Sequence, residues 1–172
     1  MRILETGFHL DWGGQPAVVL LLARKMKEAG HEVTVAAPAG SELARRASEA
    51  GLDVLAAVRF RRGFRPLSFW RDLQTLGRFL NERQIEILHV HGSQDSWIAA
   101  LANRWWYGRG RVVKTKHNNL PVRTHAANRW LYRSLCAACT TVSQDSARIL
   151  EPLLPRERIA VIHAPIEDRF WS

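Results

Sequence analysis

MRILETGFHLDWGGQPAVVLLLARKMKEAGHEVTVAAP, residues 1–38, joins a short apolar run, a glycine pair, a helix-length stretch and a second apolar run rich in valine. Pro16 suits a first helical turn because its ring presets φ, and Gly30 stands where a helix ends. The pattern predicts a β-α-β unit. Its Gly13-Gly14 loop follows the first strand, at the edge where open parallel sheets bind ligands. Glycines let a ligand approach the backbone closely, and helix-start N–H groups attract anions.

The rest of the chain repeats this alternation of strand-length apolar runs and helical stripes. Strands that alternate with helices form a parallel sheet with helices on its faces. We therefore predict one α/β domain over residues 1–172, a Rossmann-like, doubly wound parallel sheet of about seven strands with helices on both faces. The strands are expected near residues 2–6, 32–36, 53–57, 86–90, 111–116, 139–142 and 159–162.

Composition narrows the class of protein. The hydrophobic fraction of 47% excludes a mostly disordered chain, and no apolar run reaches the length of a membrane span. The N-terminus enters a strand directly, without a signal-peptide pattern. Only two cysteines occur, and Cys136 and Cys139 close a helix rather than open one, so we expect packing instead of redox chemistry. These features predict a cytoplasmic protein.

The chain is strongly basic, with a formal charge of +9 and a pI of about 10.7. Only four of the basic residues are lysines, and genome composition can enrich arginine, but the excess also suits an anionic partner such as nucleic acid, a membrane or a phosphorylated small molecule. Charge alone supports nucleic acid, because no RNP-like, helix-turn-helix or zinc signature occurs. Neither a G-x-G-x-x-G fingerprint nor a Walker loop is present, which disfavours a dinucleotide site.

Three loops that follow strands should meet at the carboxyl edge of the sheet: Gly13-Gly14, His91-Gly92 and residues 117–119. His89 and His91 share one face of their strand. No cysteine or carboxylate stands at ligand spacing nearby, so we expect no metal there. The plainer reading is that His89 packs within the sheet and His91 bonds a neighbouring loop. His117 is the better functional candidate, with a purely loop-tying histidine as the alternative.

In combination these residues resemble the N-terminal half of a retaining GT-B glycosyltransferase of glycosyltransferase family 4. Each matching piece is loose, but their order covers nearly the whole chain. The pieces are residues 13–14 with the following helix, 29–35, 87–92, 112–117, 141–143, 149–150 and 161–170.

The resemblance implies an acceptor-binding half, in an enzyme that moves a sugar from a nucleotide-sugar donor to a cell-envelope glycan or glycolipid. His117 would be the catalytic residue. Its expected role is polar: it would orient the transferred sugar and stabilise charge developing at the departing diphosphate, and it would not be a covalent nucleophile. No cofactor and no active-site metal are expected, since the nucleotide sugar is a substrate. Gly13, Gly14 and Asp11 would face the donor diphosphate, and His91, Gly92, Asn118 and Asn119 the acceptor side of the cleft.

Two departures from the family pattern matter. After the last strand, residues 163–168 read HAPIED where the family usually has Pro-Asn-Gly and an aspartate, and the sequence stops at Ser172 without a C-terminal donor-binding domain. We expect that missing domain, in a longer chain or a separate subunit, to be the main partner. Alone, the chain should be catalytically incomplete and should expose an apolar concave face where that domain docks. The alternatives are a non-catalytic Rossmann-like binding or regulatory module, and a basic nucleic-acid-binding domain.

A basic and aromatic segment precedes and enters the third predicted long helix. Basic side chains attract anionic headgroups and aromatic rings settle at the interface, so the segment predicts peripheral contact with the cytoplasmic membrane face. The alternative is a solvated loop whose Phe69 belongs to the core stripe of the helix. The candidate contact residues are Arg59, Arg61, Arg62, Phe64, Arg65 and Trp70.

Overall fold

Seven parallel strands form one sheet in the computed structural model, which describes residues 1–61, 63 and 65–163. The strand order is β3-β2-β1-β4-β5-β6-β7, so the direction of winding reverses between β1 and β4. The α/β fold predicted from the sequence is confirmed, and a reversal of this kind opens a ligand crevice at the carboxyl ends of the strands. The strands are β1 Arg2–Thr6, β2 Glu32–Ala36, β3 Asp53–Leu55, β4 Ile87–Val90, β5 Arg111–Lys116, β6 Ala138–Thr141 and β7 Ile159–Val161.

Helices connect the strands, several with the end signals that the sequence shows. The Ser41 and Ser143 hydroxyls cap their helices by accepting backbone N–H bonds, and Gly30 takes a φ of +84° after the first helix. The helices are α1 Gly14–Glu28, α2 Glu42–Glu49, α3 Pro66–Arg83, α4 Gln94–Ala102, α5 Ala126–Trp130 and α6 Gln144–Leu150. One π-helical turn, Asn103–Tyr107, extends α4, and a second, Leu131–Leu135, extends α5.

The two faces of the sheet are covered unequally. On one face, β1, β4 and β5 residues such as Leu4, Leu88 and Val112 form the larger core with residues of α3, α4 and α6. On the other face, α1 and α2 close over β1 and β2. Beyond α1 an apolar groove of about 310 Å³ remains over β4, β5 and β6. Its apolar lining includes Val18, Leu22 and Met26 of α1 and Ile87, Val113, Val142 and Ile162 of the sheet side.

Several sequence expectations concern parts of this structure. The groove has the character of the expected apolar concave face; that a second domain docks there stays a prediction. Cys136 and Cys139 are free thiols buried in the core, as packing residues should be. Within the described residues, no helix combines the length and apolar character needed to cross a membrane. Arg62, Phe64 and the sequence after residue 163 lie outside the described residues.

Candidate functional site

A buried glutamate at the switch point organises the candidate site. Glu5 lies on β1 opposite His89 of β4, and its side chain is fully buried. One carboxylate oxygen accepts from His89 Nδ1 at 2.8 Å, and the other accepts from His91 Nε2 at 2.7 Å. A buried carboxylate is costly unless it is fully partnered. Both oxygens of Glu5 have partners, so the two histidines are fixed by it.

The network continues from His91 to the end of β5. His91 Nδ1 lies 2.8 Å from His117 Nε2, and the two rings stack with centroids 5.0 Å apart. His89 Nε2 meets the Thr115 hydroxyl at 2.6 Å. Glu5, His91 and His117 thus form a chain of hydrogen bonds that runs from the buried sheet to a solvent-facing cavity.

Charge and burial fix where the protons of this chain lie. Burial opposes ionisation of Glu5, but the charge of His89 and hydrogen bonds from His89 and His91 outweigh it and lower the Glu5 pKa to about 2. Burial and the charge of His89 lower the His91 pKa, and burial with the nearby cations lowers the His117 pKa to about 3. Neutral His91 therefore donates from Nε2 to Glu5 and accepts at Nδ1 from His117 Nε2–H. His117 is left with an unprotonated Nδ1.

His89 completes the buried ion pair. Burial works against its charged form, but the Glu5 carboxylate outweighs burial and raises the His89 pKa. Among the described residues, Glu5, His89 and His91 also bring three potential metal-ligand atoms within 4.8 Å of one another. Both carboxylate oxygens already accept charge-assisted hydrogen bonds. An ion pair with its own hydrogen bonds accounts for this arrangement.

A cavity of about 510 Å³ opens beside His117, between the ends of β4 and β5 and the residues of α4 and α5. This volume falls in the range of small-molecule sites, about 300–1,000 Å³. The structure brings four sequence candidates together on its wall: His91, Gly92, His117 and Asn118. Aromatic and basic side chains that sequence reasoning did not select share the wall: Phe8, Trp97, Tyr132, Lys114, Lys116 and Arg123.

The other sequence candidates lie elsewhere. Asn119 accepts from the hydroxyls of Ser143 and Ser146, so it ties the loop to α6. Gly13 and Gly14 open α1, and the next residue, Gln15, reaches the cavity wall. Asp11 lines a separate cavity of about 790 Å³ with basic residues, including Arg59, Arg61 and Arg71.

Gly92 has a steric reason to be glycine. A Cβ at this position would lie 2.2 Å from the Phe8 ring and 2.6 Å from Asp95 Oδ1. Asp95 is fully buried, and its Oδ2 accepts from the Thr6 hydroxyl at 2.6 Å and from the His91 and Gly92 N–H groups at 3.1 and 3.0 Å. The carboxylate thus shapes the loop that carries His91, a role that sequence reasoning missed.

Two lysines of β5 point into this region. Lys114 Nζ donates to the Gly92 carbonyl at 2.6 Å and to the Ser96 hydroxyl at 2.5 Å. Lys116 Nζ donates to the Leu120 carbonyl at 2.6 Å and to Asn118 Oδ1 at 3.1 Å. Both side chains are buried and hold the loops after β4 and β5 in place.

The basic segment before α3 is anchored by one buried acid. Asp72 of α3 accepts the N–H groups of Arg59 and Phe60 at 3.1 and 2.8 Å, and Phe60 packs into the core with a φ of +45°. Arg59, Arg61, Arg65 and Trp70 are exposed. The structure places Trp106 beside Trp70 at 5.5 Å, with Trp105 6.0 Å further on, an aromatic cluster far apart in sequence.

Comparisons with known proteins agree with the fold described above. A family model described as Glycosyltransferase Family 4 matches residues 12–170. A sequence comparison with curated proteins found no match. Ninety solved chains have a similar fold.

Three of these structures illustrate the likeness. A glycosyltransferase from Rickettsia africae superposes with a TM-score of 0.75 at 16% identity, over 94% of this chain and 42% of its own. Anabaena Alr3699/HepE, solved with UDP-glucose, superposes with a TM-score of 0.75 at 15% identity, over 96% of this chain and 44% of its own. A UDP-GlcNAc 2-epimerase from Neisseria meningitidis superposes with a TM-score of 0.64 at 18% identity, over 94% of this chain and 45% of its own. This chain therefore spans less than half the length of these similar structures, and at such identities the likeness shows the fold alone.

Proposed function

Because the chain belongs to glycosyltransferase family 4, we propose that it forms the acceptor-binding half of a retaining glycosyltransferase. The complete enzyme would move a sugar from a nucleotide-sugar donor to a cell-envelope glycan or glycolipid. One observation carries the proposal: the buried Glu5 fixes His117, through His91, at the wall of the 510 Å³ cavity. A side chain held this firmly beside a sugar-sized cavity is suited to positioning a reactant.

His117 has a specific role in this proposal. Its Nε2–H is committed to His91, which leaves Nδ1 as a hydrogen-bond acceptor; in this proposal Nδ1 serves the ligand in the cavity. A hydroxyl of the transferred sugar would donate to Nδ1 and be held in one orientation. The low His117 pKa keeps the ring neutral, which fits orientation better than stabilisation of charge at the departing diphosphate. No covalent nucleophile is proposed.

The loop before α1 would meet the donor diphosphate. The Cβ positions of Gly13 and Gly14 have no neighbour within 4 Å, and the first turn of α1 carries no acidic side chain. Its open N–H groups and the helix dipole favour an anion there. His91, Gly92 and Asn118 belong to the acceptor side in this proposal. The donor-side role of Asp11, which lines a separate cavity, and the acceptor-side role of Asn119, which is bonded to α6, stay predictions from the sequence.

The donor site itself would come from a second domain, in a longer chain or a separate subunit. This proposal is supported by coverage, because the chain spans only 42–45% of the three similar structures. The alternative to a transferase half is a binding or regulatory module that transfers no sugar. The isolated chain should then show no sugar transfer from any nucleotide sugar. Tight binding of a nucleotide sugar by these residues alone would contradict this division of labour.

The test is sugar transfer by the chain joined to its C-terminal half. His117→Ala should lower kcat by roughly 100-fold, a larger effect than the loss of about 1 kcal/mol of stability that goes with its hydrogen bond to His91. Arg148→Ala, an exposed residue on α6 away from both the cavity and the groove, is the control and should leave kcat unchanged. Parallel losses of turnover and stability in His117→Ala would favour a histidine that only ties loops together.

We also propose that the enzyme works at the cytoplasmic membrane face through its basic and aromatic surface. The exposed Arg59, Arg61 and Arg65 form no salt bridge with any described residue. Trp70 stands half-exposed in the tryptophan cluster, where indole rings suit the headgroup region. Each arginine contributes about 1 kcal/mol near an anionic surface. Arg62 and Phe64 complete the proposed set.

Liposome sedimentation tests this contact. The chain should bind vesicles that contain anionic lipid at low salt and release them at high salt. Changing Arg59, Arg61, Arg62 and Arg65 to Ser should abolish binding, while Arg148→Ser, an exposed residue on α6, should not. Equal binding to neutral and anionic vesicles would refute the proposal.

A further inference from the structure

The cavity beside His117 carries an excess of positive charge that the proposed transfer reaction leaves unexplained. Three of its lining residues are cationic: Lys114, Lys116 and Arg123. Within the described part of the chain, no aspartate or glutamate lines this cavity. None of the three cations makes a salt bridge among the described residues.

The two lysines differ in how their charge is balanced. Lys114 has a counter-charge behind it, because its ammonium is the main group that lowers the pKa of the buried Asp95 against the effect of burial. Lys116 has no such partner among the residues that the structure describes. Within them its Nζ meets the neutral oxygens of Asn118 and Leu120, and burial together with Lys114 lowers its pKa.

Donor capacity remains at both ammonium groups. Each Nζ has three donors and uses two of them within the protein. The loop after β5 brings Arg123 to the same wall, with its carbonyl fixed by Asn128 Nδ2 at 2.7 Å. A buried cation without a counter-ion is costly, and an oxyanion between Lys116 and Arg123 would remove that cost through charge-assisted bonds.

The opposite wall has a different character. Phe8, Trp97 and Tyr132 present aromatic surface to the same space. Apolar walls with a few convergent polar groups are typical of sites for small organic ligands. The combination suits a ligand with a sugar-like body and a negative group at one end.

We propose that the acceptor of this enzyme carries an oxyanion, a phosphate or a carboxylate, which Lys116 and Arg123 bind while the sugar body lies against the aromatic wall. Only the identification of the bound ligand as the acceptor rests on the proposed function. The anion site itself is a property of this chain and can be measured without any transfer reaction.

Isothermal titration of the whole chain with glucose 6-phosphate, glucuronate and glucose tests the site. The two anionic sugars should bind at least tenfold more tightly than glucose, with a difference that shrinks as salt rises. Vesicles that contain phosphatidylglycerol, compared with neutral vesicles, test a lipid headgroup as the source of the anion. Binding in either arm that depends on Lys116 and Arg123 supports the site, and the responding arm identifies the source.

Variants separate the site from general basicity. Lys116→Gln and Arg123→Gln should each weaken anion binding about tenfold, whereas Arg24→Gln, an exposed arginine on α1, should not change it. Arg123 is exposed, so its variant tests the site even if Lys116→Gln impairs folding. Equal binding of glucose and the anionic sugars, or equal losses in Arg24→Gln and Arg123→Gln, would overturn the proposal. Tighter binding of UDP through the same two residues would also overturn it, by assigning the anion site to the donor.

His117→Ala distinguishes this inference from the proposed function. It should lower kcat of transfer in the completed enzyme by roughly 100-fold and leave anion binding to the isolated chain within twofold. Loss of transfer in His117→Ala without any anion binding in the wild type would refute the anionic acceptor alone. Anion binding at Lys116 and Arg123 with transfer intact in His117→Ala would refute the catalytic role alone.

Discussion

The two sides of β5 differ in how they are held. Along this strand, side chains alternate between the faces of the sheet. Lys114 and Lys116 turn to the polar cavity, where they are fixed by directed hydrogen bonds. Val113 lines the apolar groove, and Thr115 and His117 line both spaces. The cavity is thus built from buried groups with specific partners, and the groove from apolar surface that is still partly open.

The cavity side of β5 therefore depends on specific hydrogen bonds, whereas the groove side depends on buried apolar area. A buried polar network loses much of its stability when one member is removed, because its partners are left unsatisfied. A partly exposed apolar surface loses only the small area that each side chain buries. Changes of equal size should therefore cost more on the cavity side of the strand than on the groove side, and the following predictions probe that contrast.

The largest effect should follow from Glu5→Gln. The change removes the charge that pairs with His89 and leaves His91 without its ionised acceptor. Breaking a buried pair in this way costs roughly 3–5 kcal/mol. Glu86→Gln is the control, because Glu86 pairs with Arg2 at the exposed surface and should cost about 0–1 kcal/mol. Urea unfolding measures the free energy of unfolding of both variants. Equal losses would show that the buried network stabilises the fold no more than an exposed ion pair does.

Acid should weaken the same network. The folded pKa of Glu5, about 2, lies below its ordinary value of 4.5, so its contribution of about 3 kcal/mol is complete above pH 4.5 and lost as the pH falls toward 2. His117 adds to this loss between pH 6.5 and 3, because the unfolded ring takes up a proton that the folded ring, with its pKa of about 3, does not.

His89 acts in the opposite direction. Its raised pKa contributes stability below pH 6.5 that is lost as the pH rises through the folded value. Unfolding of the wild type and Glu5→Gln from pH 7 to 3 checks the balance. The gap between them should narrow below pH 4.5, and a gap that stays constant would contradict the assigned charge on Glu5.

Gly92→Ala should cost about 1–3 kcal/mol, since a methyl group there overlaps the Phe8 ring and the Asp95 carboxylate. Gly13→Ala is the matched control. Its Cβ position has no neighbour within 4 Å and its backbone is extended, so its stability should change by less than about 0.5 kcal/mol. Thermal unfolding of the two variants makes the comparison; a tolerated alanine at position 92 would show that the cavity floor can relax.

The smallest contrast lies between adjacent valines of β5. Val112 is buried in the closed core, whereas Val113 lines the groove. Val112→Thr buries a hydroxyl without a partner and should cost about 1–3 kcal/mol. Val113→Thr should cost less than about 0.5 kcal/mol. Similar losses by chemical unfolding would mean that the groove is closed in solution.

The fold could be predicted from the sequence because the local patterns and the global topology agree. The apolar run of β1, the glycine pair and the stop at Gly30 each favour the same β-α-β unit. The strand predicted near residues 53–57 is shorter in the structure and ends at Leu55. Strand ends depend on pairing with neighbours, and among the described strands β3 pairs with β2 alone, at the edge of the sheet.

The candidate site was only partly accessible. His91, Gly92, His117 and Asn118 follow strands, so their meeting at one edge could be predicted. Glu5 was missed although a glutamate in an apolar strand is itself a signal, because its partners lie 84 and 86 residues away. For Lys114 and Lys116 the sequence showed only that their side chains share one face of β5. Which face would hold the cavity depends on the packing of α4 and α5.

The most direct test is the protonation state of the His117 ring in the isolated chain. Nitrogen-15 NMR of the labelled imidazoles reports each ring nitrogen across pH 7 to 3. Burial and the nearby cations should keep His117 neutral down to about pH 3. The chain from Glu5 through His91 should hold its proton on Nε2 and leave Nδ1 bare, and Glu5→Gln should abolish this tautomer preference. A His117 that titrates near pH 6.5, or that carries its proton on Nδ1, would contradict the account.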